Sequence, residues 1–109
     1  MHMEYVEYLG QLEESIHTEG AAVLIFFYRE SANLPTRFLK SIPRLARKYP
    51  KVKSFAVDVD IHPTAAGEYI AYTLPAVSLY YDGHMIFMRT EDISVLEIEA
   101  QLRKICSRL

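Results

Sequence analysis

The sequence has almost no cysteine, no acidic residue across a long central stretch, and no apolar run long enough to cross a bilayer. Each lack narrows the reading. With Cys106 as the only thiol, an intramolecular disulfide, a CxxC pair and a cysteine-based zinc site are all excluded, which points to a reducing compartment. The longest apolar run, Ala21 to Tyr28, is far short of the roughly 20 residues a membrane helix needs. Met1-His2-Met3-Glu4 shows neither the basic nor the apolar region of a signal peptide, so the expected location is cytoplasmic. His2, His17, His62 and His84 have no ligand spacing, and no metal or other cofactor is expected. No base accompanies Ser31, which leaves acyl and phosphoryl transfer without support.

What remains is a chain of 109 residues, half of them apolar, with a net charge of −2. That suits one soluble α/β domain spanning 1–109 with its own core. Tyr5, Leu9, Leu12 and Ile16 recur at helical spacing, predicting an amphipathic helix over 3–18 that carries Glu4, Glu7, Glu13 and Glu14. Ala21 to Tyr28 has no polar residue and reads as a central strand covered on both faces. Pro35 suits the first turn of a second helix, which places Phe38, Ile42, Leu45 and Tyr49 on one stripe. Pro43 inside it predicts a kink.

Val52 to Val59 alternates as a strand, and His62-Pro63 leads into a short helix over 64–71. Leu74-Pro75 opens a strand from Ala76 to Tyr81, which turns at Asp82-Gly83 into a second strand, His84 to Arg89. Ser94 and Glu97 form a capping box, Ile93 staples to Ile98, and Val95, Ile98, Leu102, Ile105 and Leu109 form the stripe of a last helix. Helices between the early strands imply parallel pairing, and the late hairpin is antiparallel.

In this order the residues resemble the thioredoxin family. Phe27-Tyr28 falls on its Phe-Trp, Asp60 and Pro63 on its D-x-x-P, Tyr69 on its lone tyrosine, and Leu74-Pro75-Ala76 on its cis-proline segment. The resemblance implies a thioredoxin-like fold, a central mixed sheet flanked by helices on both faces. It also implies that the active-site loop falls on 31–35, where Ala32 replaces the nucleophilic cysteine and Pro35 the resolving one. Phe26 and Ala56 stand where the family has a buried aspartate and its lysine. Thiol–disulfide exchange needs a thiolate, which none of these residues supplies. The expectation is a redox-inactive module that binds protein or extended peptide, the alternative an atypical oxidoreductase using Cys106 or a partner's thiol.

Two surfaces are candidates. Tyr28, Ala32, Leu34, Tyr72, Leu74 and Pro75 fall where the family binds extended polypeptide, and read either as a shallow groove or as core and collar. Between Glu30 and Asp58 there are seven basic residues and no acidic one. Arg37, Lys40, Arg44 and Lys48 lie on one side of the second helix, and read either as a solvated face or as a docking face for an acidic partner or a second copy. Nucleic acid is not expected, since the net charge is negative and no aromatics interleave the stripe. Cys106 lies at the edge of the last helix's stripe, where a packing role competes with dimer bridging or a mixed disulfide.

Overall fold

Every second residue of the apolar run from Ala22 to Phe27 points to the same side of a sheet, and all six are buried. Such a strand needs a layer on both faces. The computed structural model of the protein, which describes residues 3–29 and 36–109 (the side chains of 36–39 excepted), supplies both. In chain order the elements are β1 (Glu4–Tyr5), α1 (Gly10–Ile16), β2 (Ala22–Tyr28), α2 (Thr36–Lys48), β3 (Lys53–Asp58), α3 (Ala65–Glu68), β4 (Ala76–Tyr81), β5 (His84–Thr90) and α4 (Val95–Cys106). Among the described residues the sheet has five strands in the order β1-β3-β2-β4-β5. β3 runs parallel to β1 and β2, while β4 and β5 are antiparallel. This is the expected α/β thioredoxin-like arrangement.

The two faces of β2 divide the core. Ala22, Leu24 and Phe26 pack with Ile42 and Leu45 of α2 and with Ile98, Leu102 and Ile105 of α4. Val23, Ile25 and Phe27 pack with Leu12 and Ile16 of α1, Ala65 of α3, and Phe55 and Val57 of β3. Fully burying each large aliphatic side chain contributes about 1.5–3 kcal/mol, so neither layer is dispensable. Tyr69 ties α3 to α1. Its hydroxyl donates to Glu13, its ring lies 5.8 Å from that of Phe27, and burial pushes its pKa up, with the Glu13 hydrogen bond adding to the effect.

The hairpin turns at Asp82 (φ 50°) and Gly83 (φ 84°), the paired left-handed residues that match strand twist. Asp82 also accepts from the Gly20 N–H at 2.7 Å and donates its own N–H to the Ala21 carbonyl, which pins the turn to the start of β2. Ser94 caps α4 by accepting from the Glu97 N–H at 3.3 Å, and Ile93 and Ile98 share one cluster. The other half of the expected box is not formed, because the Glu97 carboxylate turns to Arg89 at 2.9 Å.

Four expectations need correction. Tyr5 is not on a helix: it pairs with Ala56 in β1 and is 73% exposed. The first helix begins only at Gly10, because Gln11 turns back to accept the N–H groups of Glu7 and Tyr8. The short helix spans Ala65–Glu68 rather than 64–71. Leu109 lies beyond α4 and is 40% exposed, so the last helix's stripe ends at Ile105. Pro43 lies within α2, which runs on to Lys48, and the Phe38 side chain falls outside the described residues.

Candidate functional site

Three chain ends meet at one edge of the sheet: the carboxyl ends of β2 and β3 and the amino end of β4. In sheets with parallel strands this edge carries ligands, because loops rather than helices fill it. Phe27 pairs with Ala76, so Tyr28 and Pro75 lie one step beyond, side by side at the rim. The Leu74–Pro75 bond is cis. The Pro75 carbonyl accepts from the Glu91 N–H at 2.9 Å, which fastens the start of β4 to the end of β5. Arg29 pairs with Asp60 at 3.0 Å across the ends of β2 and β3. Asp60 also donates its N–H to Asp58 Oδ1, and His62 Nε2 donates to the Val6 carbonyl at 2.8 Å.

The candidate groove residues do not form one apolar patch. Tyr28 stacks on Phe26 (5.7 Å, 10° between planes) and packs with the α2/α4 cluster. Leu74 packs with the α1/α3 cluster on the opposite face. Tyr72 points outward, 73% exposed. Ala32 and Leu34 lie outside the described residues. Tyr28 is therefore collar to the core, and the open part of the rim is the segment from Ile70 to Pro75. Along it, the main-chain groups of Tyr72, Thr73 and Leu74 make no hydrogen bond among the described residues.

Ile70 is a contributor that no local signal announced. α3 ends at Glu68 with Tyr69 as its C-cap, and the Ala71 N–H bonds back to the Ala66 carbonyl at 2.9 Å, the closure of a Schellman motif. That motif puts Ile70 at φ 60°, a conformation a β-branched residue rarely adopts. The side chain is nonetheless 58% exposed, beside the equally outward Tyr72.

The basic stripe is divided as well. Lys40 and Arg44 are exposed and make no ion pair among the described residues, and the Arg37 side chain lies outside them. Lys48 is already engaged by Glu99 of α4, which also accepts from the Tyr49 hydroxyl at 2.8 Å. A counter-ion about fifty positions away has no local sequence signature. The Lys48 hydrogen bond, aided by that from Tyr49, holds the Glu99 carboxyl below its ordinary value of 4.5. The same contact raises Lys48.

A depressed acid stabilises the fold above its unfolded pKa and loses that contribution as pH falls through the folded value. Urea midpoints measured from pH 7 down to about pH 3 should therefore fall less steeply for Glu99→Gln than for the parent protein below about pH 5. Equal slopes would mean that the triad is not coupled to folding.

Cys106 closes α4 and packs partly buried against the α2/α4 cluster. β5 ends opposite Ala76, and α4 starts a few residues later. The helix rise of about 1.5 Å per residue carries Cys106 roughly 16 Å from that end. The thiol thus lies away from the rim. Among the described residues no three His, Cys, Asp or Glu side chains gather as a metal site, and no helix is long and apolar enough to cross a membrane.

No protein-family model matches the sequence, and no curated protein matches it. Solved structures do. Thioredoxin from Trypanosoma brucei brucei superposes with a TM-score of 0.83 at 18% identity, over 96% of this chain and 91% of that one. Mitochondrial thioredoxin 3 from Saccharomyces cerevisiae gives 0.79 at 21%, over 94% of each chain. Thioredoxin O2 from Arabidopsis thaliana gives 0.78 at 16%, over 94% and 92%. At such identities the likeness concerns architecture: this chain has the thioredoxin fold, with its one cysteine at the end of the last helix instead of a CxxC pair.

Proposed function

We propose that this is a redox-inactive thioredoxin-fold protein that binds extended polypeptide at the sheet rim, as an adaptor or chaperone-like module of a reducing, cytoplasmic setting. The observation that carries the reading is the segment Tyr72–Leu74. Its N–H and C=O groups are unpaired among the described residues. It lies directly before β4, and Ile70 and Tyr72 extend outward beside it. An extended peptide adds to such a segment by main-chain hydrogen bonds, which need no cysteine and read little sequence. Leu74 and Pro75 form its floor, with Tyr28 the collar on the other face of the sheet.

The neighbouring structures are thioredoxins, which favours a second reading, an oxidoreductase working through Cys106 or a partner's thiol. One preparation separates the two. A reduced, alkylated, permanently unfolded polypeptide should shift the amide resonances of Ile70, Tyr72 and Leu74, although it offers no thiol or disulfide. Disulfide reduction with dithiothreitol as donor should not exceed that of a Cys106→Ser control. Shifts that avoid residues 70–75 would remove the rim from consideration, and turnover that depends on Cys106 would establish the enzyme.

A further inference from the structure

We propose that a cleft beside α1 receives a basic side chain from α2 of a second copy, so that molecules associate head to tail. The cleft lies between α1 and the paired strands β1 and β3, away from the rim, and has a volume of about 210 Å³. Small-molecule pockets usually measure about 300–1,000 Å³, so this one suits a single side chain better than a metabolite. Glu4 and Glu14 line it, neither ion-paired among the described residues, and Tyr8 and Phe55 also contribute to its lining. Lys53 also lines it, leaving two carboxylates against one ammonium.

Ser15 is the independent sign of a ligand. It lines the cleft and is only 7% exposed, yet its hydroxyl makes no hydrogen bond among the described residues. Facing the cleft, that hydroxyl is open to a donor entering from outside. An ammonium or guanidinium between the two carboxylates would donate to it, and the exposed Tyr8 ring would add cation–π attraction.

The chain carries the complement. α2 and its C-terminal flank expose Lys40, Arg44, Arg47 and Lys51, none ion-paired among the described residues, and no acidic residue interrupts that stretch. On α4 the cations Arg103 and Lys104 of the last turn share the helix with Glu97 and Glu99, both already paired. α1 and α2 lie on opposite faces of the sheet. The acidic and basic surfaces therefore cannot meet within one molecule, only between two. A contact between unlike faces is heterologous, leaving a free acidic cleft at one end and a free basic helix at the other, so assembly continues beyond the dimer.

Sedimentation velocity of the full chain tests this at about 10 mM salt, where the Debye length is about 30 Å, and at about 150 mM, where it is about 8 Å. The weight-average mass should at least double at low salt, keep rising with concentration, and return to the monomer at the higher salt. The pair Glu4→Gln with Glu14→Gln should be monomeric throughout, as should Arg44→Gln with Arg47→Gln. An equimolar mixture of the two variants should form a heterodimer that does not grow. Ser15→Ala, which changes no charge, should weaken association several-fold, and added N-acetyl-arginine amide should compete. A parent protein that stays monomeric at low salt, a dimer that stops at two, or an affinity indifferent to Ser15→Ala would each overturn the proposal. Thermal melts of every variant identify loss of fold, and the salt and competition results on the parent protein stand without any variant.

Discussion

Replacing Phe26 by aspartate should abolish stable folding. Phe26 is 5% exposed, in the middle of β2, paired with Ala56 on one side and Val77 on the other. Truncating a buried phenylalanine to alanine costs about 3–5 kcal/mol in transfer and cavity terms. The aspartate adds a carboxyl facing Leu24, Ile42 and Leu102, a cluster with no cation among the described residues. A buried unpaired charge either stays ionised at large cost or takes up a proton, and both routes destabilise. The sum reaches or exceeds the roughly 5–15 kcal/mol that holds a domain of this kind folded. Urea unfolding followed by far-ultraviolet circular dichroism should show no cooperative transition for Phe26→Asp. Adding Ala56→Lys brings a cation opposite on β3 and should recover about 1–3 kcal/mol of coupling, still short of the parent. A Phe26→Asp protein within about 1 kcal/mol of the parent would mean that the position tolerates a carboxylate and that the apolar pair is incidental.

That pair also shows what the sequence makes legible. Phe26 and Ala56 are thirty positions apart, yet two parallel strands joined by one crossover bring them into register, as the order of elements implies. The same logic located β2, the β4–β5 hairpin and the capped start of α4, because each rests on a strong local signal: an unbroken apolar run, Asp-Gly, and Ser94 before Glu97. β1 had no such signal. Two exposed residues give no alternation, and the strand exists because the edge of β3 offers backbone partners, not because Glu4 and Tyr5 bury anything. Tyr5 matched a helical stripe by coincidence of spacing, and only the Gln11 turn before α1 shows where that helix starts.

The rim was legible in position but not in composition. Pro75 stands at the start of β4 as expected, and Tyr28 lies next to it. Strand alternation then sends Tyr28 to one face of the sheet and Leu74 to the other, so nearness along the rim does not make them one surface. The basic stripe lost Lys48 for a different reason: its partner Glu99 comes from a helix nearly fifty residues later, and only the packing of α2 against α4 brings them together.

Ile70→Gly should stabilise the protein by about 1 kcal/mol, and with a chain of this size raise the melting temperature by about 4–8 °C. The left-handed conformation costs a side-chain-bearing residue about 1–2 kcal/mol, which glycine avoids. Glycine returns part of this through its freer unfolded chain, and the isoleucine, 58% exposed, loses only a modest apolar contact. Ile70→Ala isolates the two effects: it keeps Cβ and hence the strain, but removes the exposed branch, and should leave stability near or slightly below that of the parent. Strained residues persist where the surroundings hold them, and they concentrate at binding sites. If residues 70–75 bind polypeptide, both variants should bind the unfolded probe more weakly, Ile70→Gly while being the more stable protein. Stability rising as binding falls would tie the strain at Ile70 to the rim's function. Gained stability with unchanged binding would leave Ile70 as an unfavourable helix end with no part in recognition.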